Sequence, residues 1–323
     1  MQASRAFLCA TVFAALTATH PAAAQTAFPD KPVRIIVPIG PGGSYDIVGR
    51  TVADALGKRL GQSVVVENKP GAGTVVGTQF VAREPADGYT LLVGGLSNIV
   101  FNPVLRSNLG HDPRKDFTPV ALVMGISYMM VGRKELPYTT LPEVLAAAKK
   151  EPGKLSMANA GVGTGQHLVA AALMNATGTK FLEVPYKGAQ AAYPDILSGR
   201  VDYFIDSYPA ALPHVKSGSV RGIAIAGPNR NPQTPDVPTM AEAGVKGFDI
   251  DSWIGIFARA DTPPDVLDKL RKETRAIIPT LKESYAKIGG NLIQMDVPQT
   301  EAFIQKESDM WTKVIRAAGI KLD

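Results

Sequence analysis

The sequence predicts an α/β protein with two lobes, each a mostly parallel sheet flanked by helices, joined by two crossing strands. Short apolar runs alternate with helix-like stretches along most of the 323 residues, and such alternation is typical of parallel sheets with right-handed crossovers. The apolar runs are nearly continuous, as expected of strands that are covered on both faces. Two longer apolar stretches, at 117–131 and 252–258, interrupt the alternation, and we expect each to cross between the lobes.

The elements of the two lobes can be predicted in order along the chain. The expected strands occupy residues 33–38, 64–67, 90–94, 155–159, 181–185, 201–206 and 221–226. Helical spacing of apolar residues predicts helices between them, at 47–60, 141–150, 168–176 and 189–198. Lobe one would then contain residues 25–124 and 254–323, and lobe two residues 125–253. A single doubly wound domain is the alternative.

Two helices after the second crossing stretch complete lobe one. The first should start at Thr262-Pro263-Pro264, with Thr262 as the cap and proline at the first helical position, where it is favoured. Its apolar stripe comprises Val266, Leu267, Leu270, Ile277 and Ile278. The last helix has a similar stripe, which comprises Phe303, Ile304, Trp311, Val314 and Ile315.

The first 24 residues have the pattern of a secretory signal peptide. Arg5 precedes an apolar segment at 6–18, and a small-residue cleavage site follows at 21–24. The apolar segment is shorter than the ~20 residues that a membrane helix needs. The only cysteine, Cys9, lies inside it, so the predicted mature chain has neither a disulfide nor a thiol nucleophile. An exported chain of this kind suits the bacterial periplasm.

Composition and charge exclude several classes of protein. With 45% hydrophobic and 20% charged residues, the chain is too apolar to be disordered. Its 34 basic and 29 acidic residues are interspersed and give a net charge of +5. Because no basic stripe accompanies that charge, we expect no nucleic-acid partner.

Three glycine-rich turns, at 37–46, 93–98 and 159–167, lie between predicted strands and predicted helices. Glycine lets backbone N–H groups point into a cavity, and a helix that starts after such a turn adds unpaired N–H donors. Together these features form a site for an anion. Candidate helix caps at these turns are Ser44, Asp46 and Thr164. The first turn would lie on lobe one and the third on lobe two, so the cleft between them would suit a small ligand with one or two carboxylates.

Motifs for nucleotides, metals and catalysis are weak or absent. The segment 71–77 has the pattern G-x-G-x-x-x-G, which departs from the dinucleotide fingerprint, and no Walker motif occurs. Three histidines outside the signal, His111, His167 and His214, have no metal-binding spacing. We therefore expect no cofactor and no metal. A distant Ser–His–Asp triad built on Ser44 stays open as a hydrolase alternative, although Ser44 lies outside any G-x-S-x-G elbow.

A series of short motifs extends through nearly all of the predicted mature chain. It comprises FPDKPVRIIVP at 28–38, GGSYDIVGR at 42–50, VVENKPGAG at 65–73, ADGYTL at 86–91, GVGTGQHL at 161–168, VPYKG at 184–188 and GRVD at 199–202. In this order the motifs resemble the Bug-type solute-binding proteins, the periplasmic receptors of tripartite tricarboxylate transporters. Such an ordered series is more specific than any single glycine turn.

The resemblance implies a two-lobed periplasmic-binding-protein fold of the Venus-flytrap kind, without catalytic activity. It implies that backbone N–H groups and ordered waters hold a ligand carboxylate between the first and third turns. The residues so implied are Ile39, Gly42, Gly43, Ser44, Tyr45, Asp46, Ser97, Asn98, Gly161, Gly163, Thr164, Gly165, Gln166, His167 and Asp206. Ile39 departs from the aromatic residue that relatives usually carry at this position.

The expected role is capture of a small organic carboxylate in the periplasm and its delivery to integral-membrane transporter subunits by a monomeric receptor. Di- and tricarboxylates, amino acids and aromatic carboxylates all fit the sequence. The alternatives are a ligand sensor for a membrane signalling partner and an exported hydrolase that uses Ser44.

Overall fold

The computed structural model describes residues 28–317 and 320–322, so the predicted signal peptide lies outside the described residues. The strands of the described chain are β1 (Val33–Val37), β2 (Val64–Asn68), β3 (Thr90–Gly95), β4 (Phe117–Arg133), β5 (Ser156–Asn159), β6 (Leu182–Pro185), β7 (Tyr203–Ser207), β8 (Val220–Ile225), β9 (Asp251–Arg259) and β10 (Asn291–Leu292). The α-helices are α1 (Ser44–Leu60), α2 (Val75–Arg83), α3 (Asn102–Leu105), α4 (Pro113–Asp116), α5 (Leu141–Lys150), α6 (Gly165–Thr177), α7 (Tyr193–Leu197), α8 (Tyr208–Lys216), α9 (Pro264–Ile277), α10 (Lys282–Lys287) and α11 (Val297–Ala317). A π-helix at Leu96–Phe101 and 3-10 turns at Ala72–Thr74, Ala189–Ala191 and Ile278–Leu281 connect them.

The strands form one extended sheet in the order β2-β1-β3-β9-β4-β7-β5-β6, with β8 and β10 also paired to β4. β1 is parallel to β2 and β3, and β5 is parallel to β6 and β7. β4 and β9 are antiparallel to each other and to their remaining neighbours. Each end of the sheet is therefore a parallel unit of one lobe, which confirms the predicted two-lobed α/β fold.

β4 is shared between the two halves of the sheet. It pairs with β9 from Phe117 to Ser127, and from Tyr128 to Arg133 it pairs with β7 and β8. β9 begins at Asp251, directly after a hydrogen bond from the Ile250 N–H to the carbonyl of Ala226 in lobe two (2.7 Å). The two apolar stretches that interrupt the alternation in the sequence are therefore the two strands that join the halves.

Helices cover both faces of each half of the sheet. In lobe one, α1 and α9 pack on one face, and α2 and α11 pack on the other. In lobe two, α5 and α6 pack on one face, and α7 and α8 on the other. Strands covered on both sides are apolar along their length. Of the two edge strands, β6 is largely exposed to solvent and β2 is mostly half-buried. No helix within 28–317 and 320–322 has the length and apolar character needed to cross a membrane.

Sequence and structure differ where proline and glycine set local geometry. The predicted helix at 189–198 divides into a 3-10 turn and α7, because Pro194 lacks the N–H that a continuous helix would need. The predicted loop at 96–98 is the start of the π-helix. α9 begins at Pro264 with Pro263 as its N-cap, one residue later than predicted, so Thr262 does not cap it.

Candidate functional site

A cavity of about 560 Å³ lies between the lobes at the carboxyl ends of the parallel strands. Lobe one contributes residues 38–40 and 70–74 to its wall, and lobe two contributes 160–162 and 185–188. Arg106 and Thr164 complete the wall, which otherwise consists mainly of glycine, proline and small apolar residues. A cavity of this size and position is typical of sites for small organic molecules.

The lobes touch on both sides of this cavity through glycine residues. On one side, a Cβ atom placed on Gly40 would lie 3.0 Å from the carbonyl oxygen of Lys187. On the other side, a Cβ atom placed on Gly73 would lie well within 3.0 Å of the carbonyl oxygen of Val162. The two backbones therefore approach to distances that only glycine permits, and the lobes are closed on the cavity.

Asp46 holds the first glycine turn in shape. Its carboxylate accepts hydrogen bonds from the Gly42 N–H (2.9 Å), the Asn68 side-chain amide (2.9 Å) and the Arg50 guanidinium (2.9 Å). Burial by itself raises the pKa of Asp46, but the bonds from Arg50, Gly42 and Asn68 outweigh it and lower the pKa. Asp46 is therefore ionised at neutral pH and is already bound by groups of its own lobe.

The amino terminus of α1 has no side-chain cap. Its N-cap is Gly43, so the predictions that Ser44 or Asp46 caps this helix are wrong. Ser44 and Tyr45 are buried and do not line the cavity, whereas Ile39 lines it and packs its side chain against Gly43. Opposite the turn, the Gln190 side-chain amide donates to the Gly42 carbonyl at 3.3 Å. An uncapped helix start leaves N–H groups open to an anion.

Ser97 bridges the two lobes beneath the cavity. Its Oγ accepts a hydrogen bond from the Gly165 N–H of lobe two at 2.9 Å, and the buried Tyr45 hydroxyl lies beside it. Burial raises the pKa of that hydroxyl, so Tyr45 stays protonated. Asn98 instead braces the turn, because it accepts from the Gly95 N–H (2.9 Å) and donates to the Val93 carbonyl (3.1 Å).

Thr164 caps α6, as predicted. Its hydroxyl accepts from the His167 N–H (3.4 Å) and donates to the Gly161 carbonyl (2.7 Å). The Nδ1 atom of His167 accepts from the Gly163 N–H at 3.3 Å, and its Nε2 lies 3.6 Å from the Glu183 carboxylate. A ring nitrogen that accepts a hydrogen bond carries no proton, and burial lowers the pKa of His167 against the opposing effect of Glu183. The neutral imidazole thus braces the third turn.

Asp206 is fully buried in lobe two and does not line the cavity. Its carboxylate accepts hydrogen bonds from the Gln166 amide (3.2 Å), the Tyr193 hydroxyl (3.0 Å) and the Ser207 N–H (2.7 Å). Burial is the largest influence on this group and raises the pKa of Asp206 to about 6, although these hydrogen bonds oppose it. Asp206 therefore positions Gln166 and the start of α8.

The raised pKa of Asp206 predicts a pH-dependent stability. Between about pH 4 and pH 6 the folded state binds more protons than the unfolded state, so this group's contribution to stability is lost as the pH rises. A shift of this size corresponds to roughly 3 kcal/mol. Asparagine does not titrate, so Asp206→Asn should not lose stability in this way as the pH rises. The free energy of unfolding of the variant relative to wild type should therefore increase from pH 4 to pH 6.

Urea denaturation of wild type and Asp206→Asn at both pH values measures this difference. Asp46→Asn is the matched control, because the lowered pKa of Asp46 predicts the opposite sign: its stabilising contribution is lost as the pH falls. Parallel pH profiles for wild type and Asp206→Asn would contradict a pKa of Asp206 that burial raises.

The triad of the hydrolase alternative, Ser44 with His167 and Asp206, is not assembled in the described part of the chain. His167 bonds to Gly163 and faces Glu183, and Asp206 bonds to Gln166 and its neighbours, so neither orients the other toward Ser44. Among the same residues, no group of three or more histidine, cysteine or acidic side chains is arranged to hold a metal ion.

The turn at 71–74 forms a cavity wall to which the sequence assigns no role. Ala72 (φ 45°) and Thr74 (φ 85°) adopt left-handed backbone conformations that are unusual for non-glycine residues. Asn102 fixes this turn, because its amide donates to the Gly73 carbonyl (2.7 Å) and to Thr74 Oγ1 (2.9 Å). Strain that the surroundings hold in place is concentrated at functional sites. The sequence carries one signal for this turn, the glycine-rich segment 71–77. Its departure from the dinucleotide fingerprint argues against nucleotide binding but assigns the turn no other role.

Comparison with known proteins identifies the family. Residues 48–320 match the model of TctC, described as the tripartite tricarboxylate transporter family receptor. Protein BugT of Bordetella pertussis strain Tohama I is 34% identical over 305 residues, which cover 94% of this chain and 93% of BugT. The structure of the periplasmic binding protein BugD matches with a TM-score of 0.87 and 34% identity, over 91% of this chain and 99% of BugD.

A solved structure with a ligand is similar to the same extent. R. palustris Rpa4515 with adipate matches with a TM-score of 0.87 and 30% identity, over 91% of this chain and 99% of that one. The family model covers most of both lobes, and BugT, BugD and Rpa4515 each match more than nine-tenths of the chain. The chain belongs to the TctC family of tripartite tricarboxylate transporter receptors, and it is a periplasmic solute-binding receptor rather than an enzyme.

Proposed function

We propose that this receptor captures a small organic carboxylate in the cavity between its lobes and delivers it to the integral-membrane subunits of a tripartite transporter. The observation that carries the proposal is the pair of glycine-rich walls, one from each lobe, around a single cavity. The cavity lining contains two cationic residues, Arg106 and Lys187, and no acidic residue. Such a lining favours an anion, and the similar protein Rpa4515 was solved with adipate, a dicarboxylate.

The proposed ligand-binding residues take three positions. Ile39, Gly161 and Thr164 line the cavity directly. The N–H groups of Gly43 and Ser44 at the start of α1 are the proposed donors to the carboxylate. Those of Gly42, Gly163 and Gly165 already donate to Asp46, His167 and Ser97, and their proposed role is to shape the two turns. The proposed supporting residues are Tyr45, Asp46, Ser97, Asn98, Gln166, His167 and Asp206.

Closure of the lobes is the proposed response to ligand. Lobe one (25–124 and 254–323) and lobe two (125–253) would rotate about the junction of β4 and β9, where the pairing of β4 changes partner after Ser127. A shift from about 1% to 99% closed needs roughly 5.5 kcal/mol of differential contact. A charge-assisted hydrogen bond contributes about 1.5–3 kcal/mol. Two to four such bonds to a carboxylate, made only when both lobes engage, would therefore suffice.

We also propose that residues 1–24 direct export of the chain and that the receptor acts as a monomer. A ligand sensor for a membrane signalling protein would use the same cavity and differ only in the surface that meets the membrane partner. Capture of membrane proteins by ligand-loaded receptor from solubilised membranes distinguishes the two roles. Transporter subunits are expected, and recovery of a signalling protein in their place would overturn the transport role.

Thermal-shift titration tests the ligand class. Mono-, di- and tricarboxylates would be compared with their uncharged amides, which match the acids in shape. A true ligand at a hundred times its Kd should stabilise the receptor by about 2.7 kcal/mol and reduce its radius of gyration in small-angle scattering. Stabilisation by the amides to the same degree, or by sugars alone, would exclude recognition of a carboxylate.

A further inference from the structure

We propose that Arg106 binds a second anionic group of the ligand and makes this receptor selective for dianionic over monoanionic carboxylates. The inference rests on the proposed function, since it concerns the far end of a ligand whose first carboxylate is held after the first glycine turn, at the start of α1. It assigns a specificity-determining role to a residue outside all three glycine turns of the sequence.

The charge of the cavity favours two anionic groups. Arg106 and Lys187 are the charged residues in its lining, and they come from opposite lobes. Lys187 is exposed, and a lysine in water is a strongly hydrated point charge. Arg106 is half-buried at the wall. A guanidinium that is partly removed from water binds a carboxylate more strongly than an exposed ammonium does, and it can form two parallel hydrogen bonds.

The guanidinium of Arg106 is positioned but not saturated. Its Nε donates to Asn102 Oδ1 at 3.4 Å, and one terminal nitrogen donates to the Ala72 carbonyl at 3.5 Å. Both bonds are long, and a guanidinium has five N–H donors. Within the described residues, Arg106 forms no ion pair with a carboxylate. Donors are therefore available to an acidic group that enters the cavity.

Asn102 links the orientation of Arg106 to the strained turn at 71–74. Its amide holds the Gly73 carbonyl and Thr74 Oγ1, while its oxygen faces Arg106. The cationic group, the strained turn and the cavity wall are thus one connected unit of lobe one. Such a unit presents a preorganised donor to the ligand, which reduces the ordering cost of binding.

Arg106 also lies at a contact between the lobes. A Cβ atom placed on Gly163 of lobe two would be 3.8 Å from a terminal nitrogen of Arg106. An anion held by this guanidinium would therefore lie beside the third turn, in lobe two. Its binding would favour the closed state, because contacts that exist only when the lobes meet shift the equilibrium toward closure.

The rest of the lining defines what separates the two anionic groups. Apart from the two cations, the wall consists of Ile39, Ala72, Ala160, Val162, the prolines and glycines of four loops, and three hydroxyl-bearing residues, Thr74, Thr164 and Tyr186. The three hydroxyls already bond to Asn102, Gly161 and Asp195, so most of the surface left to a ligand is apolar. An apolar lining favours an apolar spacer over a hydroxylated one. The expected ligand class is a straight-chain or aromatic dicarboxylate with an apolar middle.

Calorimetric titration of wild type and Arg106→Gln tests this role. The probes are the straight-chain dicarboxylates from succinate to suberate, each paired with the monocarboxylate of the same chain length. Loss of a charged hydrogen-bond donor should weaken the best dicarboxylate by about tenfold to a hundredfold, and its monocarboxylate partner by less than about threefold. Arg106→Lys should recover only part of the loss, because an ammonium lacks the planar fork.

Arg114→Gln is the matched control, because it removes the same charge from a residue that is exposed on lobe one and lies outside the cavity lining. It should leave both affinities unchanged, and urea melts should show that all variants fold. Equal weakening of both probes by Arg106→Gln, or no weakening, would overturn the selective role. If wild type binds neither probe of any pair, the proposed function fails first, and that outcome is separate from failure at Arg106.

Discussion

Replacement of Gly73 by alanine should lower ligand affinity by about a hundredfold while the protein still folds. A Cβ atom at this position would lie well within 3.0 Å of the Val162 carbonyl oxygen, a backbone atom of the opposite lobe. A backbone atom in a turn cannot move aside as the end of a flexible side chain can, so the two lobes must move apart to admit the new Cβ atom. In the open state the two backbones do not touch, so the substitution raises the free energy of the closed state relative to the open state. A hundredfold loss corresponds to about 2.7 kcal/mol, within the range of overpacking penalties.

A control separates the closure effect from backbone strain. Gly73 has φ +60°, and Gly61, at the end of α1, has φ +67° with nothing within 4 Å of its Cβ position. Gly61→Ala therefore carries the same left-handed penalty, about 1–2 kcal/mol, without a clash between lobes. Both variants should melt at similarly reduced temperatures, but only Gly73→Ala should lose affinity and remain expanded in scattering with ligand present. Equal affinities for the two variants would show that the lobes need not meet at Gly73.

Gly73 also marks the limit of what the sequence predicts. The two-lobed fold could be predicted because strands covered on both faces are apolar along their whole length, and because β4 and β9 are longer than their neighbours. The cap at Thr164 could be predicted because capping is local to a helix end. Each of these features depends on residues that are close in sequence.

The role of Gly73 depends instead on contacts between distant segments. Asn102, 29 residues away, fixes the turn around Gly73, and the Ser97–Gly165 bond joins residues 68 apart. Their geometry follows from the register of the sheet and from the closure of one lobe on the other, which no local pattern encodes. For the same reason, the sequence could not show that the buried Asp206 serves Gln166 and Tyr193 within lobe two.

Replacement of Gly165 by alanine should destabilise the protein by about 2–3 kcal/mol. A Cβ atom on Gly165 would lie well within 3.0 Å of the Tyr128 hydroxyl oxygen. Tyr128 is buried and belongs to β4, so its ring has no free space to move into. Without this contact the change should be favourable, since alanine stabilises a helix relative to glycine by about 1 kcal/mol. The clash therefore reverses the sign expected from helix propensity.

A double-mutant cycle with Tyr128→Phe isolates the contact. Removal of the hydroxyl leaves the ring carbon Cζ as the nearest atom, 2.9 Å from the Cβ position. The penalty of Gly165→Ala should then fall by more than half without disappearing, which gives a coupling energy of about 1–2 kcal/mol between the two sites. Urea denaturation of the four proteins measures it. Additive effects would mean that Tyr128 does not limit the space at Gly165, and the close packing of α6 against β4 at the base of the cavity would need another cause.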